Sequence, residues 1–234
     1  MKKISYTIFL VLLSALPILA QSYAFGFKGG LVGGLQRFNG LNNREILLGY
    51  QGDAFIATAD EEDKFSLFAQ AGYHQRGSAI RFIGGFNPWS GENLSNVSDQ
   101  MIFHNLALIL GGTQKFDWAL GKYYYSIGIR GEYTLDWDLG FLDNLNNQDQ
   151  FVREFLYGVS FSVGWEYPFS DLVGGILELS IHPDLSRQMF LPEQRRYNPN
   201  TGNPADPIPA ENIHNISIEL SVGMRFLHQI EIIE

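Results

Sequence analysis

The chain contains no cysteine. That excludes disulfides, thiolate metal sites and a cysteine nucleophile, and it excludes a lipid-modified cysteine behind a leader. Long apolar runs are missing too. The stretch Ile8 to Leu13 is far shorter than the ~20 residues a helical membrane span needs, and nothing after it is longer. If the rest of the chain crosses a membrane, it does so as strands. Basic residues are the minority, 16 Lys and Arg against 25 Asp and Glu, for a formal charge of −9. Nucleic-acid binding rests on cations that neutralise phosphates, so no nucleic-acid partner is expected.

What is present starts with MKKISYTIFLVLLSALPILAQ. Lys2 and Lys3 form a positive first region, Ile8 to Leu13 an apolar middle, and Ala20 a small residue before a cut, which is the three-part pattern of a secretory signal. The expected division is a signal peptide over residues 1–20 and a single domain over residues 21–234. Cleavage falls after Ala20 or after Ala24. Losing Lys2 and Lys3 leaves the mature chain two units more negative.

The full sequence is rich in Gly (25), Phe (18) and Tyr (11), and beyond the leader it alternates. In Tyr124 to Trp137 one set is Tyr125, Ile127, Ile129, Gly131, Tyr133, Leu135 and Trp137, and the other is Tyr124, Ser126, Gly128, Arg130, Glu132, Thr134 and Asp136. Period two is a strand signature, because successive side chains point to opposite faces. Seven further segments read the same way: Tyr23 to Phe38, Glu45 to Ala59, Lys64 to Phe82, Met101 to Phe116, Arg153 to Tyr167, Val173 to Ser186 and Asn212 to Phe226.

The connections sort into two kinds. Asp60 to Asp63, Asp117 to Gly121 and Pro168 to Leu172 are short. Those between 83 and 100, 138 and 152, and 187 and 211 are long, with Asn39 to Arg44 on the same side. Short turns at one end and long loops at the other is the pattern of outer-membrane barrels. A soluble sandwich has no reason to sort its loops so. The fold expected is therefore all-β, an eight-stranded antiparallel up-and-down transmembrane β-barrel, with lipid as the partner of its apolar face. Aromatics gather near strand ends, as interfacial girdles do: Tyr123, Tyr125, Trp165 and Tyr167 at the short-turn end, Tyr133, Trp137, Phe155 and Tyr157 at the long-loop end.

The polar faces put Arg130, Glu132, Glu154, Glu166, Glu178 and Glu219 toward the lumen. Eight strands leave an interior just wide enough for side chains to fill, so these residues are expected to form a plug of paired charges. The alternative is a narrow, cation-preferring channel. His182-Pro183-Asp184 with Ser186 could supply a hydrolytic set. It reads more simply as a strand ended by proline and a capping Asp, and no catalysis is expected. Asp143 to Asp149 resembles an acidic calcium loop but has Leu145 at a ligand position and lacks the turn glycine. No metal and no cofactor is expected.

Phe25-Gly26-Phe27-Lys28-Gly29-Gly30, Leu106-Ala107-Leu108 and the closing Ile216 to Phe226 resemble the small outer-membrane β-barrel proteins of Bacteroidota, the PorT-like β-barrel domain family. The resemblance implies an eight-strand barrel inserted by the barrel-assembly machinery, with the aromatic end of its last strand as signal. Here Phe226 is followed by Leu227 to Glu234, so that aromatic is not terminal. The function expected is structural or surface-interacting, carried by external loops such as Asn198 to Pro204. The partners expected are outer-membrane lipid and other envelope proteins, around a monomeric barrel in the cell outer membrane. The resemblance adds one alternative, an accessory role in a type IX-like secretion or gliding apparatus.

Overall fold

A computed structural model describes residues 22–37, 44–59, 64–82, 97–140, 151–197 and 204–229. The leader, the Asp143 to Asp149 loop and residues 198–203 lie outside the described residues. In chain order the strands are β1 (Ser22–Arg37), β2 (Arg44–Glu45), β3 (Leu47–Ala59), β4 (Phe65–Phe82), β5 (Val97–Trp118) and β6 (Gly121–Asp138). They are followed by β7 (Phe155–Pro168), β8 (Val173–Pro183), β9 (Met189–Leu191), β10 (Gln194–Tyr197), β11 (Pro204–Ile208) and β12 (Glu211–Gln229).

The eight long strands pair antiparallel in the order β1-β3-β4-β5-β6-β7-β8-β12, and β12 pairs back onto β1 from Ser22↔Gln229 to Arg37↔His214. The sheet is therefore a closed ring with no free edge along its length. Closure leaves no row of unpaired N–H and C=O groups in the wall, which an apolar medium would penalise by several kcal/mol each.

The period-two faces separate as the ring requires. Ile127, Ile129, Phe161, Val163, Leu177, Leu179, Ile218, Leu220 and Val222 are exposed on the outside. Ser126, Arg130, Glu132, Ser160, Ser162, Glu178, Ser180, Ser217 and Glu219 are buried inside. On β7 the outward face from Phe155 to Tyr167 rises roughly 30 Å for strands tilted by about 40°. That height suits the apolar band of a membrane barrel.

The β5–β6 turn is two residues long and closes on the pair Trp118↔Gly121. Gly121 has φ +144°, and a Cβ there would meet Glu166 O at 2.3 Å, so only glycine fits.

The wall is completed differently at the long-loop end. β7 begins late and β8 stops at Pro183, so neighbouring segments fill the gap. Thr134 N donates to Glu154 O at 2.7 Å, Arg153 N to Gln188 O at 2.9 Å, and Gln188 N to Ile213 O at 2.7 Å. There β9 pairs with β12, while β10 and β11 form a separate hairpin. These short strands, and β2 beside β4, are too brief to show a period in sequence.

One face assignment changes. His104 pairs with Asp136 while Asn105 pairs with Thr134, so Leu135 is an extra residue on β6. A bulge of one residue turns the following side chains onto the other face. Trp137 therefore pairs with buried Phe103 and packs against an interior cluster, instead of joining an outer girdle. Asp136, expected inside, is exposed.

Candidate functional site

Three layers fill the lumen. The middle one is charged. Alternation delivers Asp53 from β3, His74 and Arg76 from β4, Asn105 from β5, Arg130 and Glu132 from β6, His182 from β8 and Glu219 from β12, all buried. Arg76 Nη1 lies 2.9 Å from Glu132 Oε1 and donates to Asp184 Oδ1 at 3.0 Å, while its Nη2 donates to Ser217 Oγ at 2.6 Å. Arg130 also ion-pairs with Glu132, and its Nη1 is 3.6 Å from Glu219 Oε1. Asn105 Nδ2 donates to Glu132 Oε2 at 2.8 Å.

The histidines join this layer. His74 Nε2 lies 2.9 Å from Asp53 Oδ1 and its Nδ1 3.1 Å from Glu219 Oε1. Both ring nitrogens thus face carboxylate oxygens, a setting that an imidazolium meets with two N–H donors. His182 Nε2 is 3.3 Å from the other oxygen of Glu219. Each charge taken out of water is costly alone and tolerable only when paired and hydrogen-bonded.

The layer toward the short turns is looser. Lys28 pairs with Glu178, which also accepts from Tyr124 Oη at 2.8 Å and Ser180 Oγ at 2.9 Å. Lys115 Nζ lies 3.1 Å from Glu166 Oε2, and Arg225 holds the other oxygen of Glu166. Between these groups is a cavity of about 70 Å³, walled by Ser160, Ser162, Phe55, Phe68 and Ile109 among others. It has room for roughly two waters at about 30 Å³ each. His182 and Glu219 close it toward the middle layer.

The layer at the long-loop end is apolar. Met101 and Phe103 of β5, Leu139, Met189 of β9 and Ile213 of β12 form a buried cluster, with Trp137, Phe151, Val152 and Leu191 packed against it. Beneath it Gln188 accepts from Asn215 Nδ2 at 2.8 Å, and Ser78 Oγ donates to Gln36 Oε1 at 2.8 Å. A barrel interior read as polar throughout therefore ends in a dry cap.

Of the lumen charges named from sequence, Arg130, Glu132, Glu166, Glu178 and Glu219 lie inside. Glu154 does not. It precedes the first residue of β7, is exposed, and accepts from Tyr133 Oη at 3.0 Å on the rim. Asp53, His74 and Lys115 share the interior with them but carried no signal beyond their place in an alternating run. Asp184 shares it too.

Among the named aromatics, Tyr123, Tyr125, Tyr133, Phe155, Tyr157 and Tyr167 are exposed on the outer wall, and Trp165 is half-buried there between Tyr123 and Tyr167. His182, Asp184 and Ser186 are all buried but do not act on one another. His182 faces Glu219 and Asp184 faces Arg76, so Asp184 is an ion-pair partner and not a cap. Ser186 Oγ meets the backbone of Tyr157, N at 2.9 Å and O at 3.2 Å. Among the described residues, no group of His, Asp or Glu converges to hold a metal ion.

No family model and no curated protein matches the chain. Among solved structures it is similar to Neisserial surface protein A, at 11% identity and a TM-score of 0.47, over 88% of this chain and 97% of that one. It is similar to Ail, the attachment invasion locus protein of Yersinia pestis, at 8% identity and 0.39, over 87% and 99%. A third is the outer membrane protease OmpT from Escherichia coli, at 10% identity and 0.39, over 90% and 98%. These structural neighbours are small outer-membrane β-barrel proteins.

Proposed function

We propose that this protein is a non-conducting outer-membrane β-barrel whose lumen is a structural plug and whose long-loop end is the working surface. In this reading residues 1–20 direct export, lipid covers the outer wall, and the chain is of the kind the PorT-like barrels of Bacteroidota exemplify. The observation that carries it is the partition of faces on a closed ring: the outward set is apolar over the height of a bilayer, and the inward set is charged and paired. A soluble barrel reverses that partition.

The layered lumen supports a role at the surface and not through the pore. Three kinds of obstruction lie in series, the Lys115–Glu166–Arg225 group, the Arg76–Glu132–Arg130 group and the Met101–Phe103–Ile213 cap. Long loops on a rigid scaffold are where binding concentrates, and the longest connections in the sequence, between 83 and 100, 138 and 152, and 187 and 211, all fall at this end. His182, Asp184 and Ser186 are each held by a different partner, which speaks against their acting together as a hydrolytic set.

The test is partition and refolding of the mature chain. Detergent-extracted protein should migrate differently on gels before and after boiling, and should sediment with vesicles after refolding. Recovery in the aqueous fraction would remove the proposal.

A further inference from the structure

An aromatic chain at the short-turn end runs past the ends of the strands. Trp118 meets Tyr123 with ring centroids 5.5 Å apart, Tyr123 meets Trp165 at 6.3 Å, Trp165 meets Tyr167 at 5.7 Å, and Tyr167 meets Phe169 at 5.6 Å. Its two ends lie at the tips of the β5–β6 and β7–β8 turns. These turns are neighbours, because β6 and β7 pair up to Lys122↔Glu166. Trp118 is 66% exposed, Leu120 65%, Phe169 64% and Leu172 50%, so the tips themselves are apolar.

Turns that hang in water have no use for four such side chains. These are continuous with the outward aromatics Tyr123, Trp165 and Tyr167, so the same medium is the simplest cover for both. Asp117 and Asp171 are exposed at the same tips, which holds this edge at headgroup depth and keeps it out of the hydrocarbon. The β3–β4 connection differs. Its sequence is Asp60-Glu61-Glu62-Asp63, with no apolar residue. The girdle of outward aromatics continues around the other side, with Tyr23, Phe25 and Phe226 in contact and Phe65 exposed. Among the described residues, however, exposed apolar turn tips occur at the β5–β6 and β7–β8 turns, and tilt of a spanning element is set by its interfacial anchors.

We propose that the β5–β6 and β7–β8 turns are immersed in the lipid headgroup layer, so that the barrel sits tilted with its β5–β8 side deeper at the short-turn end. This rests on the membrane reading above and names which lipid layer those turns occupy. The partner is the lipid interface itself, and a periplasmic protein covering the same tips is the competing occupant.

Because the chain has no cysteine, single sites can be labelled cleanly. Leu120→Cys, Leu172→Cys and Glu62→Cys would each carry an environment-sensitive fluorophore, in the full mature chain refolded into phosphatidylcholine vesicles. Ile129→Cys, mid-band on the outer face, reports insertion. Labels at 120 and 172 should be quenched by nitroxides near the lipid headgroup, and should show a severalfold smaller iodide quenching constant than the label at 62. Equal iodide access at 120, 172 and 62, with the label at 129 quenched from the acyl chains, overturns the tilt while leaving the barrel inserted, and it would favour the protein partner. Failure of lipid quenching at 129 instead marks failure of the membrane reading itself.

Discussion

Arg76 holds Asp184 across the lumen, Nη1 to Oδ1 at 3.0 Å, joining the middle of β4 to the residue that follows β8. The same nitrogen faces Glu132 on β6 at 2.9 Å. One guanidinium thus ties three separate parts of the wall. Arg76→Met would leave two buried carboxylates short of a partner, and loss of one member of a buried pair typically costs about 3–5 kcal/mol. The urea midpoint of the folded barrel in vesicles should fall accordingly. Adding Asp184→Asn should recover part of the loss, because the orphaned charge is then removed. A wild-type midpoint for Arg76→Met would show that the plug contributes nothing to stability.

Tyr124 lies over Gly164, its cross-strand neighbour, where a Cβ would stand 2.3 Å from the ring. The glycine makes the hollow that lets Tyr124 reach Glu178. Gly164→Val should push the ring aside and break that bond, at the roughly 1–3 kcal/mol usual for overpacking. Combining it with Tyr124→Ala should cost less than the two changes summed. Strict additivity in urea unfolding would mean that the ring and the glycine are not coupled.

Ile129 stands on the outer face opposite Val159, and its side chain is among the most exposed of the wall. Arginine there would place a charge near mid-bilayer, which costs a barrel roughly 2–4 kcal/mol. Ile129→Arg should refold into vesicles poorly, while Ile129→Leu should match wild type. Equal refolding yields for the two would indicate that this face does not meet hydrocarbon.

The three filled layers predict an electrically silent protein. Planar bilayers holding the refolded barrel should show no steps in current, and Phe103→Ala, which opens only the apolar cap, should also remain silent because Arg76, Arg130 and Glu132 still block the middle. Wild-type conductance steps at neutral pH would contradict the sealed lumen.

The amino-acid sequence alone determined the eight long strands, most of their faces and the two kinds of connection. Alternation is a local property: a side chain in a strand points one way or the other according to its position, and runs such as Phe155 to Tyr167 keep that rhythm without tertiary help. Which side chains meet inside was decided by closure. Lys28 and Glu178, or His74 and Glu219, are distant in the chain and become neighbours only because β12 returns to β1. The extra residue at Leu135 shows the limit of a local rule, since one bulge moved Trp137 from the outer face to the inner cap. That cap takes residues from β5, β9, β12 and the segment after β6. No stretch of sequence contains it, because its apolar contacts exist only where the ring brings those elements together.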